Sequence, residues 1–145
     1  MTSDPAPPRF NLATFFDFAR KVGHGQALGL EFCDSGDNWA ELCLPWREQL
    51  VGIPESGFLA SGAIISLIDT ASGASIWAML NKFVPVVTLD LRLDYLRPAL
   101  KGETIYARCD CLKITRRVAF IRGVAHAGDP DKTIAHSTAT FMLDP

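Results

Sequence analysis

The spacing of apolar residues in the first third of the chain predicts one helix followed by two strands. Residues 10–22 repeat aromatic side chains at helical intervals, which predicts a short amphipathic helix that Gly23 and Gly25 end. Residues 26–33 and 38–44 then alternate as two strands, and the four residues between them are rich in turn formers. The N-terminal third is therefore predicted to supply a helix and the first hairpin of a sheet.

Residues 58–80 form the longest apolar segment of the chain and contain a single charged side chain, Asp69. Residues 46–57, which precede it, hold Pro54 and two glycines without a clear period and predict a loop. A helical wheel places three small residues on the face that carries Asp69: Gly62, Ser66 and Gly73. A helix that is apolar on almost every side is usually buried. The segment is therefore predicted to be the central helix, with small residues leaving room beside its one acid.

From residue 86 onward the chain alternates apolar and polar positions with a period of two, most clearly in the first strand. The pattern predicts four strands with hairpin-length connections: residues 86–95, 103–114, 118–127 and 133–143. An apolar sheet face must be covered, and the central segment is the element apolar enough to do it. The predicted fold class is α+β, an antiparallel sheet wrapped around one long helix. A flexible tail over residues 1–9 precedes this single domain of residues 10–145.

Composition narrows the classes of function without selecting one. The chain has 145 residues and a net charge of −2, which fits one domain without an electrostatic footprint for nucleic acid. Its four cysteines have neither C-x-x-C spacing nor a matching histidine pattern, so no metal site is expected. The first ten residues lack a signal-peptide pattern, which favours a cytoplasmic protein with reduced thiols. Residues 58–80 are long enough to span a membrane, but Asp69 and several small polar residues dilute them, so no membrane partner is expected.

The isolated acid is the strongest chemical signal in the chain. Burying a carboxylate is costly unless it is paired or hydrogen-bonded, and sites that perturb a carboxyl group are often catalytic. Two interpretations of Asp69 stay open from the residues alone. It is either a structural acid bonded to nearby backbone or an acid that faces a bound molecule.

Three segments together resemble one known family. GFLASGAIISLIDTASG matches the helix start, LVGIPESG matches the preceding loop "LVGNPETG", and VTLDLRLDYLRPA matches the third strand. On these segments the chain resembles the hotdog-fold thioesterases, specifically the PaaI-like acyl-CoA hydrolases, from about residue 26 to residue 143. The resemblance retains Asp69, Gly62 and Thr88. It departs from the family pattern at three positions, where the family's His, first Gly and Asn are Ala60, Ser61 and Ile53.

The resemblance implies hydrolysis of an acyl-CoA thioester, with Asp69 as the general base. The backbone amides of Ser61 and Gly62, at the positive end of the helix, would stabilise the oxyanion. The Ser61 hydroxyl could equally be a plain helix cap. The family's sites form between two protomers, so Thr88 is expected to approach the partner's Asp69 in a homodimer or a dimer of dimers. No separate cofactor is implied, because CoA arrives as part of the substrate.

Three arginines are candidates for the CoA phosphates, since guanidinium groups suit such contacts: Arg97, Arg116 and Arg117. Arg117 is the preferred one, and a solvated turn charge is the alternative for each. The three histidines match no catalytic pattern: His24, His126 and His136. Apolar residues near the helix end, Trp77, Met79 and Phe83, suggest a cavity there.

Three departures predict weak rather than full activity: Ile53 and Ala60 each remove a polar group, and Ser61 adds a side chain where the backbone must come close to the carbonyl. Two other functions compete. A hotdog dehydratase would need a histidine on the central helix, which the chain lacks. A non-catalytic protein that binds acyl-CoA or another apolar ligand is favoured by Ala60 and Ile53.

Overall fold

The structure, a computed structural model, describes residue 5 and residues 8–144. Three helices occur in this part of the chain: α1 (Leu12–Ala19), α2 (Gly23–Leu28) and α3 (Ser61–Leu80). The strands are β1 (Glu31–Ser35), β2 (Trp39–Leu44), β3 (Val51–Ile53), β4 (Phe58–Leu59), β5 (Val86–Tyr95), β6 (Ile105–Ile114), β7 (Val118–His126) and β8 (Thr133–Leu143). The predicted tail over residues 1–9 lies mostly outside the described residues and stays a prediction.

Six strands form one antiparallel sheet in the order β1-β2-β6-β7-β8-β5. The long alternating strand β5 comes directly after α3 yet pairs only with β8, so one of its edges is open. Strands β3 and β4 form a separate small hairpin. The predicted α+β class, with an antiparallel sheet around one helix, is confirmed.

Helix α3 lies across the sheet and supplies the centre of the core. Leu67, Ile68 and Ala71 are completely buried. Truncating one of these large side chains, such as Leu67→Ala, typically costs about 2–5 kcal/mol of stability. Ser61–Leu80 is long and apolar enough to cross a membrane by length and composition, but 56% of its most apolar stretch is buried inside this domain.

The first predicted strand is wrong over its N-terminal half. Residues 23–28 form α2, and β1 begins only at Glu31. Gly29 ends α2 in a left-handed conformation (φ +74°), and its N–H donates to the carbonyls of Gly25 and Gln26. Glycine adopts this conformation without the strain of a side chain. Gly23 and Gly25 therefore belong to a second helix rather than ending the first.

The predicted loop over residues 46–57 also contains more structure than expected. Glu48–Leu50 form one turn of 3₁₀ helix, and β3 follows it. The Ala60 N–H donates to the Leu50 carbonyl at 2.8 Å, which joins this segment to the start of α3. The hairpin β3–β4 is thereby held against the N-terminus of the central helix.

Candidate active site

Asp69 lies half-buried on the side of α3 that faces β5. Its Oδ1 accepts a hydrogen bond of 2.7 Å from the Thr88 hydroxyl. Oδ2 accepts no hydrogen bond and forms no ion pair with any other described residue. Thr88 fixes one carboxylate oxygen and leaves the other open, so the structural interpretation of a sealed Asp69 does not fit this geometry.

Thr88 was expected to approach the Asp69 of a partner protomer, and that detail is wrong. The two residues bond within one chain, because α3 and β5 run alongside each other and place them at the same level. A carboxylate held by a charge-assisted hydrogen bond keeps one orientation. Asp69 and Thr88 are therefore a preassembled pair of a single chain.

The N-terminus of α3 provides free amide donors. Ala60 is the cap residue, with extended backbone and no side-chain cap, so Ser61 is the first helical residue and the cap interpretation of its hydroxyl is wrong. The Ala63 N–H donates to the Ala60 carbonyl, whereas the N–H groups of Ser61 and Gly62 have no acceptor among the residues described. Open space faces Gly62, since a Cβ placed there would meet nothing within 4 Å. These amides and the positive helix end can stabilise a developing oxyanion.

A cavity of about 590 Å³ adjoins these amides. It lies between the hairpin β3–β4, the start of α3 and the segment that follows β5. Ser61, Ile53 and Ala60 all line it, with mainly apolar neighbours: Phe58, Leu59, Ile64, Leu96, Pro98 and Ala99. Two of the three departures from the family pattern thus replace a polar side chain with an apolar one on the wall of the same cavity.

Arg97 also lines this cavity, but its guanidinium is already engaged. Nη1 and Nη2 donate to the two carboxylate oxygens of Glu103 at 3.1 and 3.4 Å. Desolvation raises the pKa of Glu103, but hydrogen bonds from Arg97 and from the Leu100 N–H outweigh it and lower the pKa below its ordinary value. Arg97 is therefore a poor candidate for phosphate binding.

Arg116 and Arg117 are exposed in the turn between β6 and β7. The register of the sheet pairs Val118 with Met142, and Met142 with Val87. This turn consequently lies at the Thr88 end of β5, far from the cavity at the Tyr95 end.

The candidate base and the candidate oxyanion amides do not meet in one chain. Asp69 follows Ser61 by eight residues, which is about 12 Å along a helix that rises 1.5 Å per residue. One thioester carbonyl cannot contact both groups. Each chain therefore carries two incomplete half-sites at opposite ends of the α3–β5 pair.

Two features near the helix were missed or misjudged from sequence. His24, set aside as having no role, contacts the Ser66 hydroxyl at 2.9 Å through Nε2. The cavity expected near the end of α3 is present only in part: Met79 lines a cavity of about 290 Å³, whereas Trp77 and Phe83 both pack on Phe15. The α2 helix that carries His24 could not be recognised from a six-residue segment with two glycines.

Residues 56–134 match the Thioesterase superfamily, which is more than half of the chain. The chain belongs to the thioesterase superfamily. The "Medium/long-chain acyl-CoA thioesterase YigI" of Escherichia coli K12 is 29% identical over 139 residues, covering 87% of this chain and 88% of that protein. A protein from Pseudomonas aeruginosa has a solved structure with 38% identity and a TM-score of 0.78, covering 88% of this chain and 94% of that one.

The fold of this superfamily member is confirmed by a more distant structure. The Escherichia coli PaaI protein is 18% identical with a TM-score of 0.76, covering 92% of this chain and 94% of that chain. The resemblance to hotdog-fold, PaaI-like thioesterases is therefore confirmed. The chain is a hotdog-fold member of a family whose chemistry is thioester hydrolysis.

Proposed function

We propose that this protein hydrolyses acyl-CoA thioesters, with Asp69 as the general base. The observation that supports this most is the Asp69–Thr88 pair, in which one carboxylate oxygen is held and the other is open. The relative YigI, named for medium and long acyl-CoA chains, points to the same substrate class. CoA is part of the substrate, and the reaction needs no further cofactor.

In the proposed mechanism, Asp69 takes a proton from water as the water oxygen attacks the thioester carbonyl carbon. The carbonyl oxygen becomes negative and accepts hydrogen bonds from the Ser61 and Gly62 amides. The tetrahedral intermediate then collapses and the C–S bond breaks. The CoA sulfur leaves with the electron pair and regains a proton, and the products are a carboxylic acid and free CoA.

A second copy of the chain completes the site in this proposal. The open edge of β5 exposes Val87 and Leu89, and such an edge readily pairs with another strand. Two-fold pairing of β5 with its mate would be antiparallel. The Thr88 end of one chain would then lie beside the Tyr95 end of the other, which brings Asp69 of one protomer to the helix start of its partner.

The same pairing assigns roles to the remaining candidates. The cavity beside Ser61 accepts the acyl group, and its size falls within the 300–1,000 Å³ range usual for small-molecule sites. The exposed Arg116 and Arg117 turn of the partner would come to the cavity end, where it can contact CoA phosphates. Arg97 instead supports the cavity wall through Glu103.

We infer reduced activity from the positions where polar groups are missing. The double variant Ile53→Asn with Ala60→His restores the family residues on the cavity wall. It is expected to raise kcat by at least about tenfold, because removing one positioned donor near an oxyanion commonly costs 10²–10³ in rate and an engineered donor recovers part of that factor. Leu112→Asn, an exposed substitution on β6, is the matched control and leaves kcat unchanged. A restored variant no faster than wild type would contradict the inferred cause.

A second candidate function is binding without turnover. The apolar wall formed by Ile53 and Ala60 favours it, because an apolar ligand would be retained there without polar groups to activate it. The two functions are separated by offering purified protein a series of aliphatic and aryl acyl-CoAs. Asp69-dependent release of CoA supports the hydrolase, and a ligand-induced rise in Tm without CoA release supports the binder.

A further inference from the structure

His24, Ser66 and Asp69 occupy the same region of the molecular surface, although they were not expected to be related. The His24 Nε2 atom lies 2.9 Å from the Ser66 Oγ atom. Ser66 precedes Asp69 by three residues on α3, and residues at that spacing are neighbours on a helix, with Cβ atoms about 5–6 Å apart. This spacing allows one water to bridge the Ser66 hydroxyl and the open Asp69 Oδ2.

We propose that Ser66 is a second ligand of the hydrolytic water and that His24 is its positioning residue. The water donates one hydrogen bond to Asp69 Oδ2 and the other to Ser66 Oγ. The Ser66 hydroxyl donates a hydrogen bond to the Nε2 atom of His24. This leaves the lone pairs of Ser66 Oγ directed at the water. The inference rests on the proposed hydrolysis and adds residues that the family motif does not contain.

The other contacts of these residues agree with this assignment. Thr88 donates to Oδ1 of Asp69, whereas Oδ2 has no partner among the described residues and is the freer oxygen for a water. The Thr70 hydroxyl donates to the Ser66 carbonyl rather than to its side chain, which leaves the Ser66 Oγ to His24. The ring is carried by α2, whose position is held by the Arg47 guanidinium donating to the Ala27 carbonyl.

This arrangement also explains how an active site without the family histidine can orient its water. Position 60 is Ala60, so no histidine stands at the helix start. His24 instead contacts the same helix through the Ser66 hydroxyl. A water held by two oxygen atoms loses less orientational freedom on reaction than one held by Asp69 alone.

Steady-state hydrolysis of one acyl-CoA by full-length variants tests the proposal. Ser66→Ala is expected to lower kcat about tenfold with KM unchanged, since one hydrogen bond to a reacting group is commonly worth one factor of ten. His24→Leu is expected to lower kcat about two- to tenfold with KM unchanged. His24→Gln, whose amide can reach the Nε2 position, is expected to restore most of that loss.

The double variant His24→Leu with Ser66→Ala should be no slower than Ser66→Ala alone, because His24 acts through Ser66. His136→Leu, an exposed histidine on β8, is the matched control and keeps the wild-type rate. An unchanged kcat for Ser66→Ala, or multiplied losses in the double variant, would overturn the proposal. Failure of Asp69→Asn to lower the rate would instead refute the proposed general base, so the two ideas fail separately.

Discussion

The two ends of the α3–β5 pair differ in chemistry although the same helix and strand build both. The Asp69 end is polar, with a 2.7 Å hydrogen bond from Thr88 and an open carboxylate oxygen. The Ser61 end is a mainly apolar cavity, and its polar groups include backbone amides, the hydroxyls of Ser61 and Tyr95 and the engaged Arg97. In the proposed mechanism, one end activates water, and the other holds an acyl group and stabilises an oxyanion. Neither end is sufficient alone, which makes the dimer part of the proposed chemistry.

The largest expected effect is at the polar end. Asp69→Asn keeps the size of the side chain and removes the proton acceptor, so kcat should fall by about 10²–10⁴. The control is Asp17→Asn, which changes an exposed acid on α1 rather than on the pairing strand and should leave kcat unchanged. Equal rates for Asp69→Asn and wild type in a CoA-release assay would remove the distinction between the two ends.

The next effect tests the backbone amides of the apolar end. Proline is favoured at the first position of a helix, and Ala60 already has the extended backbone that precedes proline (φ −60°, ψ 136°). Ser61→Pro should therefore fold while lacking one amide donor, and kcat should fall by about 10²–10³. Ser61→Ala keeps the amide and loses only the hydroxyl, so it should retain most of the activity. Similar losses in both variants would assign the role to the hydroxyl instead.

The smallest expected effect is a loss of stability when Glu103, which pairs with Arg97 on the cavity wall, loses its charge. The pKa of Glu103 is lowered in the folded state, so its contribution to stability is present above the unfolded pKa and disappears as the pH falls through the folded pKa. Glu103→Gln should destabilise the protein by about 1 kcal/mol at pH 7 and by less at acidic pH. Urea unfolding of the variant and of wild type, at pH 7 and at acidic pH, measures this difference in the free energy of unfolding. A penalty that is the same at both would contradict the ion pair with Arg97.

The elements that dominate the core could be predicted from sequence, whereas the contacts between elements could not. The apolar run of α3 and the alternation of β5 each encode their own structure, so their positions follow from local periodicity. The resemblance identified Asp69, Gly62 and Thr88 together. It placed Thr88 against the wrong chain, because a motif lists residues but does not give the distance between α3 and β5.

His24 illustrates a second limit of sequence reasoning. A six-residue helix with two glycines has too few apolar positions for its period to be recognised, so its last three residues were predicted as the start of a strand. His24 fell in the predicted break before that strand, and nothing in the sequence indicated a contact with Ser66, which is 42 residues away. The ion pair between Arg97 and Glu103 was missed for a different reason: the two residues are near in sequence, but the pattern does not show that the turn between them brings their side chains together.

Mixing two inactive variants tests the central claim, that Asp69 of one protomer works with the helix start of another. Asp69→Asn and Ser61→Pro chains are co-expressed in equal amounts, and CoA release is compared with each variant alone. Random pairing gives half heterodimers, each with one intact site of two, so the account predicts about a quarter of the wild-type activity. A mixture no more active than the two variants measured separately would contradict it.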